Sequence, residues 1–343
     1  MTDHRDLKRI IRERQAKTGE SYTAACVHVL RERSRLLGTG CLDDDATKPA
    51  VEPPAPAPLQ TVEAVVLKLN RRSARMRILG EEGQVTYRSG DLWNVVPGQI
   101  VTLDIDRRWS WRRDPYASGR VRDPRLDIPR LGLTPLPLAG GDLVDVAAEY
   151  EPPGRRDPWM PLWRELTRRP RPAFEFDGIA WGVLPGVEGE DDLTSKAAEL
   201  DEDGDRSAAR ELLMEALGVD LRCIDAHAHL GNLEFERRPE RARLHYEIGL
   251  RIAELSLPEP FEGILPWAMI YNRPYLRCLQ GLGLCQWRAG KAEEAMAAFE
   301  RILMLDPNDN QGARFCWQDV RSGRTWEEAE EREEASPFAR DRA

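Results

Sequence analysis

Two histidines, His227 and His229, are the residues whose type best suits metal-dependent hydrolysis. The surrounding pattern is helical, and residues two positions apart on a helix point to different sides, so the two imidazoles are not expected to share a metal. Cys223 and His227 have the four-residue spacing of helical metal pairs, but a third and a fourth ligand are missing. A packed or solvated histidine pair is therefore expected, and neither a metal nor another cofactor is predicted.

Other catalytic patterns are equally incomplete. The His-x-His pair resembles the metal motif of amidohydrolase-type barrels, but those enzymes need further histidines on later strands, and only His245 follows His229. The acidic turn at 201–205 is similar to a calcium loop, but its glycine is misplaced and Leu212 stands where the loop needs glutamate. The sequence contains neither a phosphate-binding glycine loop nor a nucleophile elbow. The chain is therefore predicted not to be an enzyme.

Basic and aromatic residues alternate between positions 107 and 113, in a pattern that could bind nucleic acid. Aromatic rings can stack on bases while arginines neutralise phosphates. The candidate residues are Arg107, Arg108, Trp109, Trp111, Arg112 and Arg113. The alternative is a strand and loop with tryptophans in the core and arginines that face solvent or form ion pairs.

Charge is distributed unevenly along the 343 residues, whose net charge is −9. Residues 60–130 carry 14 basic and nine acidic residues, whereas residues 131–343 carry 26 basic and 41 acidic residues. Such a local excess of positive charge suggests at most a local anionic partner. Attraction between the two parts of the chain is the simpler explanation.

The N-terminal part predicts helices followed by a spacer. Residues 1–40 are expected to form a small helical hairpin, broken at Gly19 and capped by Ser21. Residues 41–59 contain five prolines within ten positions, which is typical of an extended linker.

Short β-rich runs between Gly, Asn and Pro then predict a small β-barrel over 60–125. The turn at 96–101 resembles the proline-glycine turn that enters a strand in barrels of the OB or SH3-like kind. The Pro-rich residues 126–190 are expected to form an extended connecting region with one short helix, anchored by Trp159, Trp163 and Phe174.

Residues 276–309 carry the clearest helical periodicity, with two amphipathic helices that meet at Gly290 and end before Pro307. Gly283 and Ala295 are small where the helices would cross, which allows their backbones to approach. The segment resembles one tetratricopeptide repeat, and the matching positions are Leu279, Leu282, Gly283, Gly290, Ala295, Phe299, Ile302 and Pro307. Weaker upstream copies extend the resemblance over about 190–320.

The resemblance implies an all-α domain of stacked hairpins over 191–320, with a groove that holds a peptide or protein segment. The positions that would face this groove are Asn232, Arg277, Gln280, Leu284, Trp287 and Arg288. Two arginines beside a tryptophan could hold a carboxylate. The alternative is that these side chains are solvated or packed against residues 255–274. Residues 321–343 are expected to form a charged tail.

The sequence as a whole predicts an α+β multidomain protein: a helical hairpin, a small β-barrel and TPR-like helical repeats. No apolar run approaches 18 residues, the N-terminus lacks an apolar signal region, and the six cysteines lack paired spacing. We therefore expect a cytoplasmic protein with reduced thiols. Its leading predicted function is a non-catalytic scaffold that binds a protein partner in the repeat groove. The alternative is a nucleic-acid-associated protein that binds through 60–125 and recruits partners through the repeats.

Overall fold

The computed structural model describes residues 60–184 and 193–334. The predicted N-terminal hairpin and linker, residues 1–59, lie outside the described residues. The chain divides into two units: one contains the barrel together with Val183–Leu221, and the other contains Leu133–Gly182 and the helices that follow Arg222.

Strands dominate the first half of the chain and helices the second. The strands are β1 (Gln60–Leu69), β2 (Ala74–Ile78), β3 (Val85–Arg88), β4 (Ile100–Trp111), β5 (Asp114–Arg125), β6 (Leu138–Val144) and β7 (Arg171–Phe176). The helices are α1 (Val146–Glu149), α2 (Met160–Leu166), α3 (Leu193–Glu202), α4 (Arg206–Val219), α5 (Ile224–Phe235), α6 (Pro239–Glu254), α7 (Arg273–Arg288), α8 (Ala292–Leu305), α9 (Ala313–Arg321) and α10 (Trp326–Glu334).

Strands β1 to β5 form a closed barrel in the order β1-β2-β3-β5-β4, which confirms the predicted small barrel. All neighbouring strands are antiparallel except β3 and β5, which are parallel. The barrel closes because β1 pairs with β4, with Val65 opposite Ile100. Closure leaves no unpaired strand edge within the barrel.

The barrel core follows from alternating side chains. In β2, Ala74, Met76 and Ile78 are buried while Arg75 and Arg77 lie between them at half-buried positions. This period of two places one set of side chains inside and the other towards solvent. The outer half of β4, beyond Ile105, loses the pattern and is mostly exposed. That half of the strand is therefore not needed for the core.

Helices α3 and α4 belong to the barrel unit, although the sequence groups them with the helices that follow. Asp205 caps α4, since its side chain accepts a hydrogen bond from the Ala208 amide. Lys68 of β1 forms an ion pair with the largely buried Glu215 of α4, with 2.6 Å between Nζ and Oε2. This ion pair is one contact that joins helix α4 to the barrel.

The region expected to be an extended connection, 126–190, has regular structure where it is described. Strands β6 and β7 form an antiparallel pair, and the predicted short helix is α2. Trp159 and Trp163 are buried in the core of the second unit, and Phe174 packs against that core. The tryptophans therefore belong to the helical unit itself.

The helices of the second unit pack mainly against their sequence neighbours. Pro239 and Pro274 stand in the first turns of α6 and α7, where a missing amide proton costs nothing. Between these helices, residues 255–272 form an ordered connection that bridges to β7 at Ile264. Buried Ile264 and Leu265 hold this connection on the core.

Helices α7 and α8 approach closely at Gly283, as the sequence indicates. A Cβ atom at this glycine would lie 2.6 Å from the buried ring of Phe299. Gly283→Ala is therefore expected to destabilise the helical unit, because overpacking costs about 1–3 kcal/mol and exceeds the ~1 kcal/mol that alanine gains in a helix. Urea unfolding should show this loss. Gly154→Ala, at an open position of the same unit, is the control and should stay within about 0.5 kcal/mol of the parent.

Cysteines Cys223, Cys278, Cys285 and Cys316 are free thiols. Burial raises the pKa of the Cys285 thiol to about 12 and that of Cys316 to about 11. These two thiols are therefore protonated at neutral pH and poor nucleophiles. Over 60–184 and 193–334, every helix is too short or too polar to cross a membrane.

Candidate functional site

The β4–β5 hairpin carries four of the six candidate nucleic-acid residues on the outer half of β4, and the other two at its tip. Trp109 lies opposite Tyr116, and Trp111 lies opposite Asp114, so the two strands continue pairing up to the turn. The register shifts between Ile105 and Arg107, where the strand leaves the core. Such an irregularity re-aims the side chains that follow it.

An aromatic stack with cations around it is the central feature of this surface. The rings of Trp109 and Tyr116 are 5.5 Å apart and nearly parallel, at 16°. The Arg107 guanidinium lies 5.4 Å from the Trp109 ring. The Arg88 guanidinium lies 5.9 Å from the Trp109 ring and 5.7 Å from the Tyr116 ring. Cation–π contacts of this kind hold arginines beside an aromatic surface without neutralising their charge.

The turn of the hairpin consists of Arg112 and Arg113, both with left-handed backbone conformations, at φ 48° and 72°. A two-residue hairpin turn of this kind favours Asn-Gly, because side chains with a Cβ are strained there. The Arg112 guanidinium covers the ring of Trp111 at 4.4 Å, and Trp111 is 55% exposed. The barrel therefore presents two arginines at a strained tip, a feature found often at functional sites.

A cleft of 330 Å³ lies beside the aromatic stack, between the β2–β3 loop and the hairpin. Arg108 crosses it to Glu81 through two hydrogen bonds, of 2.9 and 2.8 Å. The hydrogen bonds from Arg108 lower the pKa of Glu81. The residues that line the cleft are Ile78, Glu81, Glu82, Gly83, Gln84, Val85, Arg108, Trp109, Ser110, Pro115 and Tyr116. Arg108 is thus neutralised by a carboxylate, unlike its neighbours.

Three other arginines of the barrel unit, Arg122, Arg125 and Arg130, form ion pairs with carboxylates. Hydrogen bonds from Arg122, together with one from Thr61, lower the pKa of Asp104 to about 2. Arg125 and Arg130 both bind Glu63. These carboxylates neutralise the positive charge of Arg122, Arg125 and Arg130.

By contrast, four arginines around the aromatic stack and at the hairpin tip have no carboxylate partner in the part of the chain that the structure describes. Across residues 60–184 and 193–334, no ion pair joins Arg88, Arg107, Arg112 or Arg113 to a carboxylate. The aromatic stack is therefore surrounded by arginines whose positive charge no carboxylate of the described residues neutralises.

The six predicted groove residues of the helical unit do not form one open surface. Arg277 is engaged inside the unit: it binds Asp225 at 2.7 Å, and its guanidinium lies 5.1 and 5.7 Å from the rings of Trp181 and Trp267. Asn232 accepts a hydrogen bond from the Tyr246 hydroxyl at 2.7 Å. Arg277 and Asn232 thus have partners within the fold.

The other predicted groove residues are also engaged. Gln280 contacts the Cys316 sulfur at 3.7 Å, and Leu284 packs against the core. Trp287 is buried, with its Nε1 donating to the Arg324 carbonyl at 3.0 Å. Arg288 donates to the Phe235 carbonyl at 2.9 Å. Most of the predicted groove residues therefore already contact other residues of the same chain.

The two histidines of the His-x-His pair have different surroundings. His227 is buried with its ring 5.9 Å from that of His245, whereas His229 lies 3.4 Å from Asp225. In the part of the chain that the structure describes, no group of three or more His, Cys, Asp or Glu residues could hold a metal ion.

Arg88 is the member of the aromatic cluster that the sequence does not single out. It ends the four-residue strand β3 and reaches the stack because β3 pairs with β5, with Arg88 opposite Ser118. A long-range parallel pairing leaves no local signal.

Neither a protein-family model nor a curated protein matches this chain.

Proposed function

We propose that this protein binds single-stranded nucleic acid through the outer half of the β4–β5 hairpin. The observation that carries the proposal is the Trp109–Tyr116 stack with Arg88 and Arg107 beside it. Each base that stacks on an aromatic side chain contributes about 1–3 kcal/mol, and arginines bind the phosphates between bases. Single strands fit this surface because their bases are free to leave their own stack. Binding of this kind requires no catalysis.

The topology of the barrel supports the same proposal. The order β1-β2-β3-β5-β4 with parallel β3 and β5 is that of a five-stranded Greek-key barrel of the OB type. Barrels of this type bind oligonucleotides with the β2–β3 face and with the loops β1–β2 and β4–β5. Here the β4–β5 loop is the Arg112–Arg113 turn, and the β1–β2 loop contains Arg71 and Arg72. Positive charge thus stands at both loops.

Salt-dependent binding of a labelled single-stranded oligonucleotide tests this proposal. The triple variant Arg107→Gln, Arg112→Gln, Arg113→Gln should weaken binding and reduce the slope of log K against log salt by about 2, because each lost phosphate contact removes about 0.7. The control variant, Arg122→Gln, Arg125→Gln, Arg130→Gln, removes the same charge from arginines that are already ion-paired. Equal weakening by both variants would show a non-specific charge effect, and no binding by the parent chain would refute the proposal.

A second function, protein binding by the helical unit, is favoured by a separate observation. Gly283 and Phe299 make the close helix crossing that tetratricopeptide hairpins need. We infer that α5 to α8 are two TPR-like hairpins of a cytoplasmic, non-catalytic scaffold, which recruits a protein partner while the barrel binds nucleic acid. We assign partner binding to Phe235, Trp287 and Arg288, hereafter the aromatic cleft, which the last described helix covers in this structure.

A pull-down from nuclease-treated lysate, with the full chain as bait, tests the scaffold function. The retained protein should be lost with Phe235→Ala, which removes one wall of the cleft, and kept with the triple arginine variant of the barrel. A protein that is retained only with intact nucleic acid would contradict the scaffold function and leave the barrel as the binding unit.

A further inference from the structure

The chain's last described helix covers the aromatic cleft. The Trp326 ring packs edge-on against Trp287 at 5.4 Å and against Phe235 at 5.7 Å. We infer that the cleft is the docking surface for a partner helix similar to α10 and that α10 covers it until the partner displaces it. This inference rests on the proposed scaffold function. It assigns both the kind of partner and the way in which access is controlled.

The way α10 is seated defines the chemistry of that partner. Edge-to-face packing against two rings selects an aromatic side chain. The Trp287 Nε1 donates to the carbonyl of Arg324, two residues before the aromatic residue, and thereby recognises the backbone that leads into the helix. The fitting partner therefore carries a backbone carbonyl and an aromatic residue in this spacing.

A capping box then sets the direction of the helix. The Glu328 amide donates to the Thr325 hydroxyl at 3.3 Å, and the Thr325 amide donates to the Glu328 carboxylate at 2.9 Å. The box makes Trp326 the first helical residue and directs the acidic residues that follow away from the cleft into solvent. The partner segment is thus a capped helix with an aromatic residue first and acidic residues after it.

The attachment of α10 is slight enough for displacement. None of the described side chains of α10 is fully buried, and only Trp326 and Ala329 pack against the core. The Trp326 Nε1 is enclosed but has no hydrogen-bond partner within the described residues. A nine-residue helix is marginal in water by itself. Gly323, with φ 79°, joins α10 to α9 through a turn that allows the helix to swing.

Ion pairs hold α10 at one further place, outside the cleft. Asp319 of α9 binds both Arg324 and Arg332. The Arg332 side chain is 58% exposed, but the Asp319 carboxylate is largely buried and accepts hydrogen bonds from both terminal nitrogens of Arg332, at 3.2 and 2.6 Å. These bonds hold α10 to α9, whereas the ring of Trp326 anchors α10 inside the cleft, so a change at Trp326 should open the cleft.

The probe for the test is a fluorescent peptide of residues 322–334, and the protein is the full chain. Trp326→Ala should bind the peptide. The parent should bind it roughly 10-fold or more weakly, because its own α10 competes at an effective concentration of about millimolar. A peptide with alanine in place of its tryptophan should bind neither chain. Equal binding of the intact peptide by parent and variant, or binding by neither, would overturn the inference.

A second variant guards against misfolding of Trp326→Ala. Thr325→Ala removes the capping-box hydroxyl at an exposed site, at a cost to the helix of about 1 kcal/mol, and leaves the aromatic core in place. It should bind the peptide with an affinity between those of the parent and Trp326→Ala. No gain over the parent by a folded Thr325→Ala chain would also overturn the inference.

The two proposals can fail separately. If the peptide binds Trp326→Ala but the chain retains no protein, the scaffold function fails while the displaceable helix stands. If a retained protein binds parent and Trp326→Ala equally and the peptide does not compete with it, the scaffold function stands while the inference fails.

Discussion

Replacing Arg277 with methionine is expected to destabilise the helical unit by about 1–3 kcal/mol, because the buried Asp225 carboxylate loses one of its two partners and keeps only His229, 3.4 Å away. Asp225 is 1% exposed and accepts a hydrogen bond from Arg277 at 2.7 Å. Methionine keeps most of the side-chain volume between Trp181 and Trp267, so the loss reports the charge. Hydrogen exchange at the amides of α5 and α7 measures the effect within this unit, without assuming that the whole chain unfolds in one step.

The double variant Asp225→Asn, Arg277→Met separates the cost of the lost ion pair from the cost of lost packing. Removing both charges of a buried pair is often close to neutral, so the double variant should recover most of the stability that Arg277→Met loses. A cost below about 1 kcal/mol for the single variant would place Arg277 among weak, solvent-screened pairs. Arg277 would then be available to a partner, as its predicted place in the groove requires.

The pH dependence of stability gives an independent check on Asp225. Burial alone raises the pKa of this carboxyl, but His229 and Arg277 together outweigh burial and leave the pKa below its usual range. A lowered pKa in the folded state stabilises the protein above the unfolded-state value, about 3.9, and that contribution is lost as the pH falls through the folded-state pKa. The parent should lose this increment below about pH 4, and the double variant should not.

The barrel could be predicted from the sequence as far as its strands alternate. Strands β1 to β4 coincide with short runs of β-branched and aromatic residues between turns. Strand β5 gives no such signal, because Pro115, Gly119 and Pro124 interrupt it. It forms nonetheless, since pairing with both β3 and β4 supplies hydrogen bonds that local propensity does not reveal.

The candidate surface could be predicted in its residue types but not in its pairing. The alternation of arginine and tryptophan selects Trp109 and Arg107, and the structure places both on the outer half of β4. The same alternation treats Arg108 as equivalent to its neighbours, whereas the structure neutralises it with Glu81 from another loop. A partner 27 residues away leaves no trace in local spacing.

For a similar reason, the sequence does not predict that α10 packs over the aromatic cleft. The expected charged tail, 321–343, includes the end of α9 and the whole of α10. Trp326 stands alone among acidic residues, so the segment has no apolar periodicity that would indicate a packed helix. Only the positions of Phe235 and Trp287 in three dimensions explain why a single tryptophan suffices to seat it.

Replacing Trp109 with alanine is expected to weaken the binding of a single-stranded oligonucleotide by roughly 5- to 150-fold, the loss of one stacked base at about 1–3 kcal/mol. Arg107 would also lose the ring beside it, and Arg88 would keep only Tyr116. Fluorescence anisotropy with a labelled oligonucleotide measures the change. Trp109→Phe should retain most of the affinity, because it keeps an aromatic face beside Tyr116.

Trp93→Ala is the matched control, since Trp93 is a 75% exposed tryptophan of the same unit that does not line the cleft beside the stack. It should bind as the parent does. The salt dependence distinguishes stacking from charge: Trp109→Ala lowers affinity while the slope of log K against log salt stays nearly constant, whereas the triple arginine variant lowers both. A base that stacks on Trp109 loses that ring in Trp109→Ala, so its binding must weaken. If Trp109→Ala and Trp93→Ala both bind like the parent, no base stacks on Trp109 and the aromatic stack only stabilises the hairpin.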